Sequence, residues 1–256
     1  MCLIAFAINE HPDFPFILIA NRDEFYDRPS LPAHFWPEHP HMLAGKDLKA
    51  GGTWLGITLS GRFAAITNYR DIKNINPAAK SRGEIIKEYL TSEATPAFYM
   101  QSLQESTRRY NGYNLLIYDN MHISYYSNNQ NVVHKIDSGV HGLSNAFLNT
   151  SWHKVQKIKK EFNTILKNEL NENRLFEILA DESTAEKDLP RTGLPYDLEK
   201  AVSAIHIRTD NYGTVSTTIV MIAKNKQATF IEKTHAVGGR QESIKRFNFL
   251  LSNESN

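Results

Sequence analysis

The sequence predicts an α+β fold built on antiparallel sheets. Three observations carry this. Apolar runs come in pairs separated by turn residues, as hairpin strands do. The helical patterns are grouped, so that the order reads strands, helices, strands, helices, strands. No regular βαβα alternation is present, which argues against a doubly wound parallel sheet.

Residues 3–8 (LIAFAI) and 16–20 are apolar runs separated by His11-Pro12-Asp13, which predicts a hairpin. A polar cluster, residues 21–28 (NRDEFYDR), follows the second run. Residues 29–41 contain four prolines and read as irregular. Residues 54–58 and 63–67 predict a hairpin around Ser60-Gly61. Residues 81–90 read as a helix opened by a capping box, with Ser81 three residues before Glu84. Residues 96–103 continue the helical layer. Strands resume at 113–118 and 122–126 around the turn pair Asp119-Asn120, with 132–136 as a third. The longest helical pattern is 151–170, where Val155, Ile158, Phe162 and Leu166 recur at helical spacing. Residues 175–179 form a second helix, and 217–223 with 228–232 a late hairpin. The expected organisation is one domain, residues 1–256.

Composition narrows the function. Hydrophobic content of 41% and charged content of 22% are those of an ordinary globular protein. A net charge of +1 gives no electrostatic case for nucleic acid or an acidic membrane. The basic stretch 154–160 reads as a solvated helix face. No segment reaches the roughly 20 apolar residues of a membrane span. The first apolar run lacks a basic leader and stops at Asn9-Glu10, so no secretory signal and a cytoplasmic location are expected. One cysteine excludes an internal disulfide. His34, His39 and His41 cluster near Glu38 but lack zinc-site spacing. Nucleotide and metalloprotease motifs are missing too, so no obligatory metal, nucleotide or other cofactor is expected.

That single cysteine, Cys2, follows the initiator Met. Removal of Met1 would leave a thiol and an α-amino group on one residue. An α-amino pKa of roughly 7.7–8.0 suits it to act as the base for its own thiol. The alternative is a small buried side chain opening a strand.

Several strings then occur in order: Met1-Cys2, Asn21-Arg22-Asp23-Glu24 with Phe25-Tyr26-Asp27-Arg28-Pro29, Gly51-Gly52-Thr53-Trp54-Leu55-Gly56, and Thr67-Asn68-Tyr69. Further along come Arg82-Gly83-Glu84, Tyr110-Asn111-Gly112-Tyr113-Asn114-Leu115, Gly142-Leu143-Ser144-Asn145-Ala146 and Tyr212-Gly213-Thr214. This ordered set resembles the NRDE family, also called the TANGO2 (transport and Golgi organisation 2) family, over about residues 1–235. That family is similar to N-terminal-nucleophile hydrolases of the choloylglycine hydrolase and penicillin acylase type. The resemblance implies a four-layer αββα sandwich and a nucleophilic Cys2.

It also implies a site. An arginine near the thiol would favour thiolate, and a carboxylate near the ammonium would orient it; Arg22 and Asp23 are the candidates. The hydrolases carry this Arg and Asp three residues apart, whereas here Asn21 and Glu24 have that spacing and Arg22 and Asp23 are adjacent. Adjacent strand residues point to opposite faces, so either pair could line the site. Asn68 and Asn145 stand where the hydrolases place asparagines, and a neutral amide N–H suits an oxyanion. Arg208 falls in the late region that carries an active-site arginine. Its alternative is a solvent-facing arginine at a strand end. Trp54 could wall a pocket or fill the core.

Two functions remain open. One is an amidohydrolase or acyl-transfer enzyme working through Cys2 on a C–N amide or related acyl compound. The other is a carrier for an apolar ligand such as haem or an acyl-CoA-like lipid, which the family's eukaryotic associations favour.

Overall fold

The computed structural model describes residues 2–119 and 122–252, without the side chain of Arg108. Met1, and Asn120 of the expected turn pair, lie outside the described residues. The chain divides into two compact units, Met1–Asp27 with Ser138–Asn248, and Arg28–Asp137 with Phe249–Asn256.

The chain opens with the expected hairpin, β1 (Cys2–Ile8) and β2 (Phe16–Phe25). It continues through β3 (Ser30–Trp36), β4 (His39–Asp47), β5 (Leu55–Thr58) and β6 (Phe63–Asn68). Helices α1 (Gly83–Thr91) and α2 (Pro96–Glu105) follow. Next come β7 (Tyr113–Tyr118), β8 (Ile123–Ser127), β9 (Val132–Ile136) and β10 (Gly139–Leu143). Helices α3 (His153–Lys167), α4 (Glu172–Leu179) and α5 (Tyr196–Ala201) precede β11 (Tyr212–Ile222), β12 (Gln227–Thr234) and β13 (Ser243–Leu250).

In the first unit the strands run β10-β1-β2-β11-β12-β13. Alternate residues Leu3, Ala5, Ile17, Ile19 and Ile219 point to one face, where they meet Val155, Ile158 and Phe162 of α3 and Leu175 and Leu179 of α4. The second sheet runs in sequence order from β3 to β9, and α1 and α2 bury Ile85, Ile86, Tyr89 and Leu103 in its core. The chain is therefore α+β, with two antiparallel sheets that each carry their own helices.

Four expectations change. The proline-rich segment 29–41 is a hairpin, β3 with β4; β3 is an edge strand with two register shifts, where a missing N–H is tolerated. The second strand does not stop at Ala20 but runs through the polar cluster to Phe25. The capping box does not form: α1 starts at Gly83, and the Arg82 N-cap makes no capping bond, its side chain donating instead to the Gly112 carbonyl. Lys154 is not on a solvated face but 1% exposed.

The first residue of α1 packs tightly against the chain before β5. Thr53 N–H donates to the Gly83 carbonyl at 3.1 Å, which brings the Gly51-Gly52-Thr53 and Arg82-Gly83-Glu84 strings together. A Cβ on Gly52 would lie 2.4 Å from the Gly83 carbonyl carbon, so only glycine fits. Gly52→Ala is expected to cost about 1–3 kcal/mol through this overlap, read as a lower urea midpoint with an unchanged slope.

Candidate active site

The β1–β2 register pairs Cys2 directly with Arg22. Residues opposite each other in an antiparallel pair share a face, so the thiol and the guanidinium are neighbours. Arg22 is buried and has Glu24, two residues on, 3.9 Å away on the same face. Arg22 in turn pairs with Ser216 of β11, across the strand from it. Cys2, Arg22 and Ser216 thus form a polar row over three adjacent strands. Ser216 is 6% exposed.

On the other side of β1, Ile4 pairs with Leu143 of β10. The strand ends at Leu143, and the next residue, Ser144, stays against β1. The Ser144 hydroxyl donates to the Cys2 carbonyl at 3.1 Å and lies 3.3 Å from Asn145 Oδ1. Asn145 is 1% exposed.

Asn21 and Asp23 occupy the opposite, helix-facing side. Asn21 donates to the Leu179 and Ile205 carbonyls at 2.8 and 3.0 Å and accepts from the Thr217 hydroxyl at 2.6 Å. Asp23 accepts from the Thr214 hydroxyl at 2.7 Å. The face question therefore resolves as neither expected pair: Arg22 goes with Glu24, and Asn21 with Asp23.

Charge follows this arrangement. Burial pushes the Cys2 thiol pKa up, and the Asp23 carboxylate adds to the rise while Arg22 opposes it. Burial also pushes Asp23 up, opposed by the Lys154 charge and the Thr214 hydrogen bond. Arg240, unremarked in the sequence, is tied to the Tyr26 carbonyl at 2.9 Å. Burial and the nearby Arg22 hold its pKa below the ordinary arginine range, so two guanidiniums share this end of the sheet.

The remaining expected residues are placed as follows. Arg208 is on the surface, 65% exposed and paired with Glu182 at 2.9 Å. It lines an open cavity of about 620 Å³ with Phe25, Tyr26 and Asp210. Asn68 ends β6, opposite Tyr113, and Trp54 packs against the core of the second unit; both belong to that unit. Among the described residues, no group of three or more His, Cys, Asp or Glu side chains is placed to hold a metal ion.

The family described as Transport and Golgi organisation 2 matches residues 1–236. The chain belongs to this family. It is 33% identical to the mouse Transport and Golgi organization 2 homolog over 262 residues, covering 91% of this chain and 93% of that protein. The bovine homolog is 34% identical over 259 residues with the same coverage. Among solved structures, the C2A mutant of a conjugated bile acid hydrolase from Clostridium perfringens superposes with a TM-score of 0.53 at 8% identity. The match covers 99% of this chain and 98% of that one. At that identity the likeness speaks to the fold alone, and the fold is that of the N-terminal-nucleophile hydrolases. No helix among the described residues is long and apolar enough to cross a membrane.

Sequence reasoning missed Ser144, Lys154, Ser216 and Arg240. Ser144 had a usable signal, since it lies inside a quoted family string. The others had none, because their role depends on strand register and helix docking.

The hydrogen-bond chain behind Asn21 carries a pH dependence. The Thr217 hydroxyl is spent on Asn21, so His235 Nε2 must donate to Thr217 across their 2.8 Å contact. Burial, and then the neighbouring His206, hold the His235 pKa down to about 4. A histidine depressed below its unfolded value stabilises the fold above roughly pH 6.5, and that contribution is lost as pH falls toward 4. The melting temperature is expected to drop over this range, and to drop less in His235→Gln, which keeps a donor but does not titrate.

Proposed function

We propose that this chain is a cysteine N-terminal-nucleophile hydrolase or acyl-transfer enzyme acting on an amide or a related acyl compound. The observation that supports it best is the register that sets Cys2 opposite Arg22, with Ser144, the residue before Asn145, bonded to the Cys2 carbonyl. After removal of Met1, the α-amine takes the thiol proton and the sulfur attacks the substrate carbonyl. The Asn145 amide donates to the oxyanion, and Arg22 stabilises the thiolate. Collapse breaks the C–N bond, the ammonium returns its proton to the leaving amine, and a thioester remains. Water or another acceptor then releases the acyl group.

The adjacency of Arg22 and Asp23 suits two tasks on two faces. The thiol projects to the Arg22 face. The α-nitrogen is main chain, in the plane of the sheet, and can be served by Asp23 from the other side. Asn68, expected as a second oxyanion donor, has no part in this reading, which rests on Asn145.

The burial-raised thiol pKa favours the second reading, in which the protein carries a small apolar or acyl ligand and Cys2 is packing. Intact mass of the native protein after exposure to iodoacetamide near neutral pH, with Cys2→Ala as control, separates the two. The enzyme reading expects loss of Met1 and one adduct on the native chain. Retained Met1, or labelling only after denaturation, would move the assignment to ligand carriage. With an amide substrate in hand, Asn145→Ala is expected to lower kcat on the order of a hundredfold or more, with folding unchanged by circular dichroism.

A further inference from the structure

We infer that Ser144 is a positioning residue of the candidate site: its hydroxyl holds the Cys2 carbonyl and so fixes the end of β1 from which both the thiol and the α-amine project. This deepens the enzyme reading and rests on it.

In that reading nucleophile and base lie on one residue, so neither has an element of its own to aim it. Both are placed by the backbone of Cys2, the first residue of β1. Cys2 would also open the mature chain, and chain ends stay poorly ordered unless they are tied down. On one edge Cys2 pairs with Arg22 of β2. On the other, the register with β10 runs from Ile8 opposite Gly139 to Ile4 opposite Leu143 and ends there, short of Cys2.

Ser144 takes over where β10 stops. Its hydroxyl donates to the Cys2 carbonyl at 3.1 Å. The N–H and C=O of one strand residue point to the same neighbouring strand. The α-nitrogen of Cys2 therefore points to this edge as well, away from β2. Cys2 and Arg22 are then a non-hydrogen-bonded pair, the kind that brings facing side chains closest. The Ser144 bond fixes the peptide group between Cys2 and Leu3, and the amine and the thiol arm both branch from the Cα beside it.

Ser144 is itself held. The chain loops out after β10 and returns to it. Asn149 N–H donates to the Gly142 carbonyl at 2.8 Å, and Gly142 N–H donates to Asn149 Oδ1 at 3.0 Å. Asn149 has a φ of 59°, a left-handed conformation that asparagine adopts more readily than most residues. Lys159 of α3 donates to the same Oδ1 at 2.8 Å. Ser144 lies inside this closed loop and is 2% exposed. Its other close neighbour is Asn145 Oδ1 at 3.3 Å, so one hydroxyl touches both the nucleophile residue and the candidate oxyanion donor.

The test compares native wild type with Ser144→Ala, Ser144→Gly and Ser144→Thr. The rate of iodoacetamide labelling of Cys2 is measured from pH 5 to 9, with the melting temperature alongside. Arg22 and Asp23, the charged side chains that act on the thiol, are the same in all four proteins. Wild type decides the enzyme reading: a native Cys2 that does not label ends that reading and the positioning role with it. The variants decide the inference. Ser144→Ala and Ser144→Gly are expected to label about fivefold more slowly near neutral pH, the factor that one net hydrogen bond is worth, with the midpoint of the pH profile moved up. Ser144→Thr keeps the hydroxyl and is expected to restore both.

A rate and a midpoint equal to those of wild type overturn the inference. So does faster labelling at every pH with an unmoved midpoint, which makes Ser144 a clasp against fraying and nothing more. A folded Ser144→Thr that labels like Ser144→Ala overturns it too. Failure of both Ser144→Ala and Ser144→Gly to fold does the same, because the hydroxyl then serves the fold and not the site.

Discussion

The polar stretch of β2 survives burial because Asn21 is satisfied. A primary amide with no partner in a protein interior costs several kcal/mol. Asn21 avoids this by donating to Leu179 at the end of α4 and to Ile205 in the segment before β11, while Thr217 donates to its oxygen. One side chain thereby ties a strand to a helix end, a loop and a neighbouring strand. Arg22 and Asp23 are the next residues on that strand, so their positions depend on this anchor. Losing it would let the strand end near Ala20, where hydrophobicity alone would stop it.

Extension of β2 divides the site between two faces. The thiol side carries Arg22, Glu24, Ser216 and the flanking Asn145. The helix side carries Asn21, Asp23 and Thr214. A nucleophile whose base is its own main-chain nitrogen can use both, because the backbone lies between them. An enzyme with a separate histidine base needs its catalytic groups on one side. The adjacency that sets Arg22 and Asp23 apart from the hydrolase spacing is thus compatible with the chemistry.

Much of the fold was legible because hydrophobic period reports which face is buried. The β1–β2, β5–β6 and β11–β12 hairpins and helices α2, α3 and α4 all follow from it. Errors fell where burial is polar or where an edge relaxes the rules. Asn21, Arg22 and Asp23 look like a loop to any hydrophobicity count. Pro32 sits in an edge strand, where its missing N–H breaks no inner ladder. Strand β13 is largely exposed, so its residues carry little apolar pattern to read.

By itself, the sequence determined the α+β class, the family and the candidacy of Cys2. These depend on local pattern and on the order of short motifs along the chain. Tertiary structure alone decided that Arg22 pairs with Cys2 while Asp23 faces away from the thiol, that Arg208 faces solvent, and that Lys154 is buried. A charge carries no mark of its burial in the sequence. Whether it is solvated or desolvated depends on which helix docks over which strand, and that is set by contacts more than a hundred residues apart.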